Sequence, residues 1–296
     1  MTGTHIPVLA QEAIEWLAIR ADGFYLDTTY GRGGHSSLIL ERLGPEGRLV
    51  ACDRDPEARV DACARFGDDS RFRFMGMAFS HLPQWVIEQG LAGRIAGVLA
   101  DLGVSSPQLE DPARGFSFSH EGSLDMRMNP EQGRSAAEWI NRAAAQEIAD
   151  VLYYYGDERY SRRIARAIVT RREEHPLVTT RALAETIARA IPRRERRIHP
   201  ATRSFQAIRI YINDELGELR RLLEAVPGLL MPGGRLVVIA FHSIEDRIVK
   251  RFMRLAAHSE PPKLRIVTRM IQPADTETMT NPRARSARLR VAEAPA

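Results

Sequence analysis

The chain has 296 residues, 44% hydrophobic and 27% charged, the make-up of a globular protein with one large domain or a domain carrying an insertion. No apolar run reaches the ~18 residues that a membrane helix needs, and residues 1–17 lack the basic start and apolar core of a secretory signal, so neither membrane insertion nor export is expected. The net charge of +4 is unevenly spread: residues 159–203 hold thirteen Arg, no Lys and four Glu, a local +9 against −5 elsewhere. A solvated helical face would account for part of that excess. A concentration of Arg, which grips phosphate with paired hydrogen bonds, favours a polyanionic partner.

The first third of the chain alternates strand and helix. Phe24–Asp27 reads as a short buried strand, residues 31–34 as a Gly-rich turn, and 36–43 as a helix closed by Gly44. Residues 48–52 form a second strand ending at Asp53, Pro56–Phe66 a helix, 71–75 a third strand, 82–89 a helix, and 95–100 a fourth strand ending at Asp101. This is the rhythm of a parallel sheet covered by helices. The rhythm then stops until residues 235–240, introduced by Pro232-Gly233-Gly234. A crossover between parallel strands needs only a dozen or more residues, so an extra module sits between. Ser135 with Glu138 makes a capping-box signature for a helix running towards Tyr155, with Gly156 as its stop. Residues 161–172 and Thr180–Ala190 are further helices, and a helix over 204–225 leads back to the sheet. Residues 243–256 are helical, and 264–271 with 288–292 predict a closing antiparallel pair. Two isolated cysteines, Cys52 and Cys63, are too few for a disulfide scaffold or a structural zinc site, and point to a reducing cytoplasm.

Candidate site residues fall at the carboxyl ends of the predicted strands, where open α/β sheets bind ligands. The run Asp27-Thr-Thr-Tyr-Gly31-Arg-Gly33-Gly34-His35 follows the first strand, Asp53 closes the second and Asp101 the fourth. Gly31-x-Gly33-x-x-Ser36 nearly matches a dinucleotide fingerprint, with Asp53 twenty residues beyond Gly33. A nicotinamide cofactor would therefore suit the loop alone. Electrostatics separates the two readings, because an acid at the end of the first strand repels a pyrophosphate. S-adenosylmethionine carries an ammonium, a sulfonium and one carboxylate. Asp27 and Asp101 suit its cations, Asp53 its ribose hydroxyls, and the helix start beyond Gly34 its carboxylate. No set of metal ligands is apparent, and no metal is expected.

Longer motifs then point to a family. They are Pro7-Val-Leu-x-x-Glu12-Ala13, Tyr30-Gly-Arg-Gly-Gly-His-Ser36, Asp53-Arg-Asp-Pro56, Asp101-Leu-Gly-Val-Ser-Ser-Pro-Gln-Leu109, Arg114-Gly-Phe-Ser-Phe118 and Leu124-Asp-Met-Arg-Met128. Ser135-Ala-Ala-Glu-Trp139, His199-Pro-Ala-Thr-Arg203, Phe241-His-Ser243, Glu245-Asp-Arg-Ile-Val-Lys250 and Asn281-Pro-Arg-Ala-Arg-Ser286 continue them nearly end to end. With these the chain resembles the bacterial small-subunit ribosomal RNA methyltransferase H family, which methylates N4 of a cytidine in the decoding region of 16S RNA. One departure is visible: Thr28 stands where the family usually has glycine.

The resemblance implies an α/β, Rossmann-like class I methyltransferase fold with a doubly wound, mostly parallel sheet. The S-adenosylmethionine domain would span residues 1–104 and 215–296, and an inserted helical RNA-recognition domain residues 105–214. It implies cofactor contacts at Gly33, Gly34, His35, Asp53, Phe79, Asp101 and Gln108; the loop reading adds Asp27 and Gly31. Its partner would be 16S ribosomal RNA, presented within the small subunit, and a homodimer is among its possibilities. Neither cysteine is placed to attack a pyrimidine ring, so an exocyclic amine is the better target. Asp101, a hydroxyl of Ser105 or Ser106, and a nearby carbonyl in the loop that ends at Pro107 would hold that amine. Arg193, Arg194, Arg196, Arg197, His199 and Arg203 would meet RNA, and Asn281, Arg283 and Arg285 would close over the site. Two rivals remain open at this point, a nicotinamide-dependent dehydrogenase and a non-catalytic ribosome-assembly factor.

Overall fold

The computed structural model describes residues 7–192 and 198–296. The chain divides into two compact units, residues 1–103 with 216–296, and residues 104–215.

The first unit opens with α1 (Ala10–Leu17), β1 (Phe24–Asp27), α2 (Gly34–Leu40), β2 (Arg48–Asp53), α3 (Pro56–Phe66), β3 (Phe72–Gly76), α4 (Leu82–Glu88) and β4 (Ile95–Asp101). In the second unit lie α5 (Ser106–Glu110), α6 (Ala136–Ile140), α7 (Ala145–Gly156), α8 (Ser161–Glu174), α9 (Thr180–Ala190) and α10 (Thr202–Ile212). The chain then returns through α11 (Glu215–Leu229), β5 (Leu230–Ala240), α12 (Ser243–Ala257), β6 (Arg265–Ile266), α13 (Asp275–Thr280) and β7 (Arg288–Glu293). The sheet order is β3-β2-β1-β4-β5-β7-β6. Strands β1 to β5 run parallel, and β7 pairs antiparallel with both β5 and β6. This is the doubly wound, Rossmann-like α/β arrangement of class I methyltransferases, with its switch point between β1 and β4.

Both faces of the sheet are buried, so its strands are continuous apolar runs. Leu26, Val50, Val98, Leu236 and Val238 face one core, with Leu219, Leu223, Val249 and Met253 from α11 and α12. Their neighbours Tyr25, Leu49, Leu99, Val237 and Ile239 face the other, with Ile14, Leu17 and Ile39 from α1 and α2. The second unit has its own core, including Trp139, Leu152, Ile164, Ile168, Leu183 and Phe205. Trp139 Nε1 and the Tyr211 hydroxyl both donate to Glu147 Oε1, at 2.7 and 3.0 Å, which satisfies these two polar groups at the edge of that core.

Several sequence expectations are corrected. The helix expected from Ser135 towards Tyr155 is two, because Asn141 ends the first. Its side chain donates to Ala137 O and Leu177 O and accepts from Leu177 N, while Arg172 caps the carbonyls of Ile140 and Ala143. The helix expected over 204–225 also breaks, at Asn213 and Asp214. Asn213 donates to Met126 O and accepts from Met128 N, and Asp214 takes the left-handed φ of 50°. Strand β5 begins at Leu230 rather than Arg235, because the Pro-Gly-Gly segment is absorbed as an irregularity in its pairing with β4 between Ile95 and Gly97. Helix α2 starts and ends earlier than 36–43. The short helices α1, α5 and α13 were not foreseen.

Gly156 ends α7, but the reason for glycine is packing. A Cβ there would lie 2.7 Å from the carbonyl oxygen of Arg203 on α10. Gly156→Ala should therefore push α7 from α10 and lower stability by about 1–3 kcal/mol, read from the midpoint of a urea unfolding curve.

Candidate active site

The three strand-end acids belong to three adjacent strands, β2, β1 and β4. Asp27 pairs in register with Ala51 on one side and Leu99 on the other. Asp53 and Asp101 thus stand two residues farther along, and the two-residue period of a strand turns all three side chains to the same face. The structure brings them within electrostatic reach of one another: the charge of Asp53 acts on Asp27, and that of Asp27 on Asp101.

Asp27 is 1% exposed. One carboxylate oxygen accepts from Ser36 Oγ at 2.6 Å and the other from Thr29 N at 3.1 Å. Burial pushes its pKa up from 3.8 to about 6 against those two hydrogen bonds, and the charge of Asp53 adds to the rise. Asp27 thus binds the glycine loop to its own strand and places a titratable charge beneath it. Asp53 is half-buried and holds the loop from the other side, accepting from Gly31 N and Asp55 N, both at 2.9 Å. Burial again raises its pKa. Two N–H groups occupy half of a carboxylate's lone-pair positions and leave the rest for hydroxyls.

Gly33 has φ +66°, and a Cβ on it would lie 2.6 Å from the Tyr30 hydroxyl. The loop can therefore close over the packed Tyr30 ring only with glycine there. Thr28, where the resembled family has glycine, needs no such freedom. It is not among the residues with positive φ, it is buried, and its N–H and hydroxyl both donate to Leu99 O at 2.9 Å. The substitution thus ties β1 to β4 instead of straining the turn.

Asp101 differs from the other two acids. Its backbone N–H donates to Thr29 Oγ1 at 2.6 Å, but its Oδ1 is buried without a hydrogen-bond partner among the described residues. Oδ2 lies 3.6 Å from His35 Nδ1. His35 Nε2 faces the Val8 carbonyl at 3.2 Å, and a carbonyl only accepts, so Nε2 carries the ring hydrogen. In neutral His35 a lone pair then faces the carboxylate, and one proton between them removes the conflict. Burial, then the charges of Asp27 and Glu245, hold Asp101 well above the usual carboxylate range, which suits it to keep that proton.

Sequence reasoning passed over Glu245, beyond the end of β5. It is buried and accepts from Phe241 N at 3.0 Å. The His-x-x-Glu spacing of a capping box at residues 242–245 was the signal that could have marked it. Phe79 is half-buried, three residues past Gly76, which pairs with Asp53, and packs against the core of the first unit. Cys52 is buried and its thiol is pushed up by burial, so it stays protonated; Cys63 is exposed. Among the described residues no three His, Cys, Asp or Glu side chains are grouped to hold a metal ion, and no helix is long and apolar enough to cross a membrane.

In the second unit, Pro107 sits in the first turn of α5, and Gln108, buried, accepts from Ser105 N at 3.0 Å with its Oε1. Ser105 and Ser106 flank the start of the same turn. His199 is exposed and stacks on Phe118 with ring centroids 4.6 Å apart. Arg203 is half-exposed. Back in the first unit, Asn281 accepts from Arg283 N, and Arg283 and Arg285 are exposed. Arg193, Arg194, Arg196 and Arg197 lie outside the described residues.

Comparison with known proteins gives these features a family. The model of the MraW methylase family matches residues 2–295. The chain is 59% identical to the ribosomal RNA small subunit methyltransferase H of Thioalkalivibrio sulfidiphilus, covering 98% of this chain and 96% of that protein. It is 55% identical to the protein of that name from Nitrosococcus oceani, over 98% and 96%, and 51% identical to the one from Coxiella burnetii, over 98% of each. A family match across nearly the whole length, joined to a glycine loop between three strand-end acids, makes this chain a member of the MraW methylase family.

Proposed function

We propose that the protein transfers a methyl group from S-adenosylmethionine to the exocyclic N4 amine of a cytidine in the decoding region of 16S ribosomal RNA, in the cytoplasm. The observation that carries the cofactor half is the cluster of raised carboxylates at the ends of β1, β2 and β4, with Asp101 Oδ1 buried and unpartnered. Like charges crowded in a poorly solvated cleft disfavour one another, and a cationic ligand relieves them. A pyrophosphate would add to the repulsion, which argues against a nicotinamide cofactor. The residues present therefore fit S-adenosylmethionine, which supplies an activated methyl on a cationic sulfur with a good neutral leaving group.

On this reading Asp53 accepts the ribose hydroxyls with its spare lone pairs, and Phe79 packs against the adenine. Gly31, Gly33 and Gly34 let the loop backbone approach the ligand, while His35 orients Asp101. Gln108 completes the contacts. The acceptor amine is a weak nucleophile, because its lone pair is delocalised into the ring. Asp101 and a hydroxyl of Ser105 or Ser106, in the turn that Pro107 stiffens, accept its hydrogens and draw it towards tetrahedral geometry. Alignment of the amine with the methyl then supplies much of the rate. The base leaves its stack to be methylated. Residues 104–215, the more Arg-rich unit, hold the RNA, with His199 and Arg203 in contact and Asn281, Arg283 and Arg285 adding to the grip. The N4 position and the decoding-region target rest on the resemblance and on the names of the relatives.

Three outcomes are expected. Asp53→Ala should weaken S-adenosylmethionine binding about a hundredfold in calorimetry; wild-type affinity would displace the ribose from this acid. Asp101→Asn should lower kcat for methylation of small subunits by about a hundredfold while leaving cofactor affinity within about tenfold. The third outcome concerns pH. Because the pKa of Asp27 in the folded chain is raised, its contribution to stability is present below about pH 4 and lost as pH rises through about 6. A cation favours the ionised form, so cofactor affinity should rise through pH 6, with proton release seen as a dependence of the binding heat on buffer. No proton release at pH 6 would remove Asp27 from the ligand's field.

A further inference from the structure

Helix α8 begins with a charge pattern that works against its own stability. Arg162 and Arg163 lie in its first turn, the positive end of the helix dipole, and no acidic residue occupies that turn. Arg166 follows at the spacing that stacks it over both of them. Together with Arg159, in the short turn before the helix, these side chains are exposed and form no ion pair among the described residues. The one nearby carboxylate that is buried, Glu158, is turned inward and accepts from Tyr160 N. Ile164, Ala165 and Ile168 bury the opposite side of the helix, so the arginines share the solvent face.

Beside this face the last turn of α7 carries Tyr153 and Tyr154, 57% and 67% exposed. Their rings meet edge to face with centroids 5.2 Å apart. A four-residue turn joins them to α8. Two exposed aromatic rings, one short turn from four exposed arginines of which only Arg166 makes a side-chain hydrogen bond among the described residues, to the Arg162 carbonyl, offer base faces and phosphates their respective partners, the combination that binds unpaired nucleic acid.

We propose that Tyr153, Tyr154, Arg159, Arg162, Arg163 and Arg166 form, within the unit assigned above to the RNA, a docking face for a single-stranded segment of RNA distinct from the contacts at His199 and Arg203. The proposal builds on the reading of the protein as an RNA methyltransferase. It commits to RNA over an acidic protein because paired aromatic rings supply a stacking platform for bases beside cations for the phosphates.

The test uses the full chain and a fluorescein-labelled short oligouridylate, with binding followed across salt concentrations. Arg162→Gln/Arg163→Gln/Arg166→Gln should weaken binding and lower the slope of log affinity against log salt by about 2, at ~0.7 per phosphate contact. Tyr153→Ala/Tyr154→Ala should weaken binding about tenfold or more with the slope unchanged. The thermal midpoint of the triple variant should hold or rise, because repulsion is relieved. As a control, Lys250→Gln/Arg251→Gln/Arg254→Gln removes the same charge from α12 and should leave the slope within about 0.5 of wild type. An unchanged slope in the first variant, an equal fall in the control, or equal losses of RNA and polyglutamate binding in the tyrosine variant would each overturn the proposal. S-adenosylmethionine affinity, expected to be wild type in every variant, reports separately on the methyltransferase reading. If the wild type itself fails to bind that cofactor, that reading falls while the docking face stands or falls on the RNA data.

Discussion

Three carboxylates on one face at the ends of three neighbouring strands are the constraint around which the first unit is arranged. Burying like charges together is costly, and here the cost is distributed by hydrogen bonds from the loop itself. Ser36 and Thr29 serve Asp27, while Gly31 and Asp55 serve Asp53. The glycine loop is consequently fastened at both edges by the acids that line it. Of the three acids, Asp101 alone keeps a buried oxygen with no partner among the described residues. On the proposed reading, the one buried acceptor and the crowded acids are what a cationic ligand would satisfy.

The two units arrange their charges differently. The sheet-bearing unit concentrates acids at one edge of its strands. The helical unit gathers thirteen of its arginines within residues 159–203, and two of its carboxylates hold structural positions: Glu147 beneath Trp139 and Tyr211, and Glu158 in the turn before α8. Each unit has its own apolar core, so each charge pattern sits on an independently packed support.

Thr28 and Gly156 show how local rules are overtaken by packing. The resemblance marked Thr28 as a position normally held by glycine, yet the backbone there is ordinary and the hydroxyl binds a neighbouring strand. Gly156 was legible as a helix stop, but the residue is small because α10 passes over it. In both places a nearest-neighbour reading of the chain names the residue correctly and the force incorrectly.

Features repeated along the chain could be read directly from it. The strands β1 to β4, the acids that close three of them, the glycine loop and the boundaries of α3 and α9 all follow from hydrophobic period and turn chemistry, which act over a few residues. The breaks at Asn141 and at Asn213–Asp214, and the approach of His35 to Asp101, were not legible. Asn141 turns the chain by binding Leu177, Asn213 by binding Met126 and Met128, and His35 acquires its tautomer from Val8. Each depends on partners that lie dozens of residues away and are chosen by how the elements pack. A hydrogen bond to a distant backbone group leaves no periodic trace in the amino-acid order, so those contacts emerge only once the chain has folded.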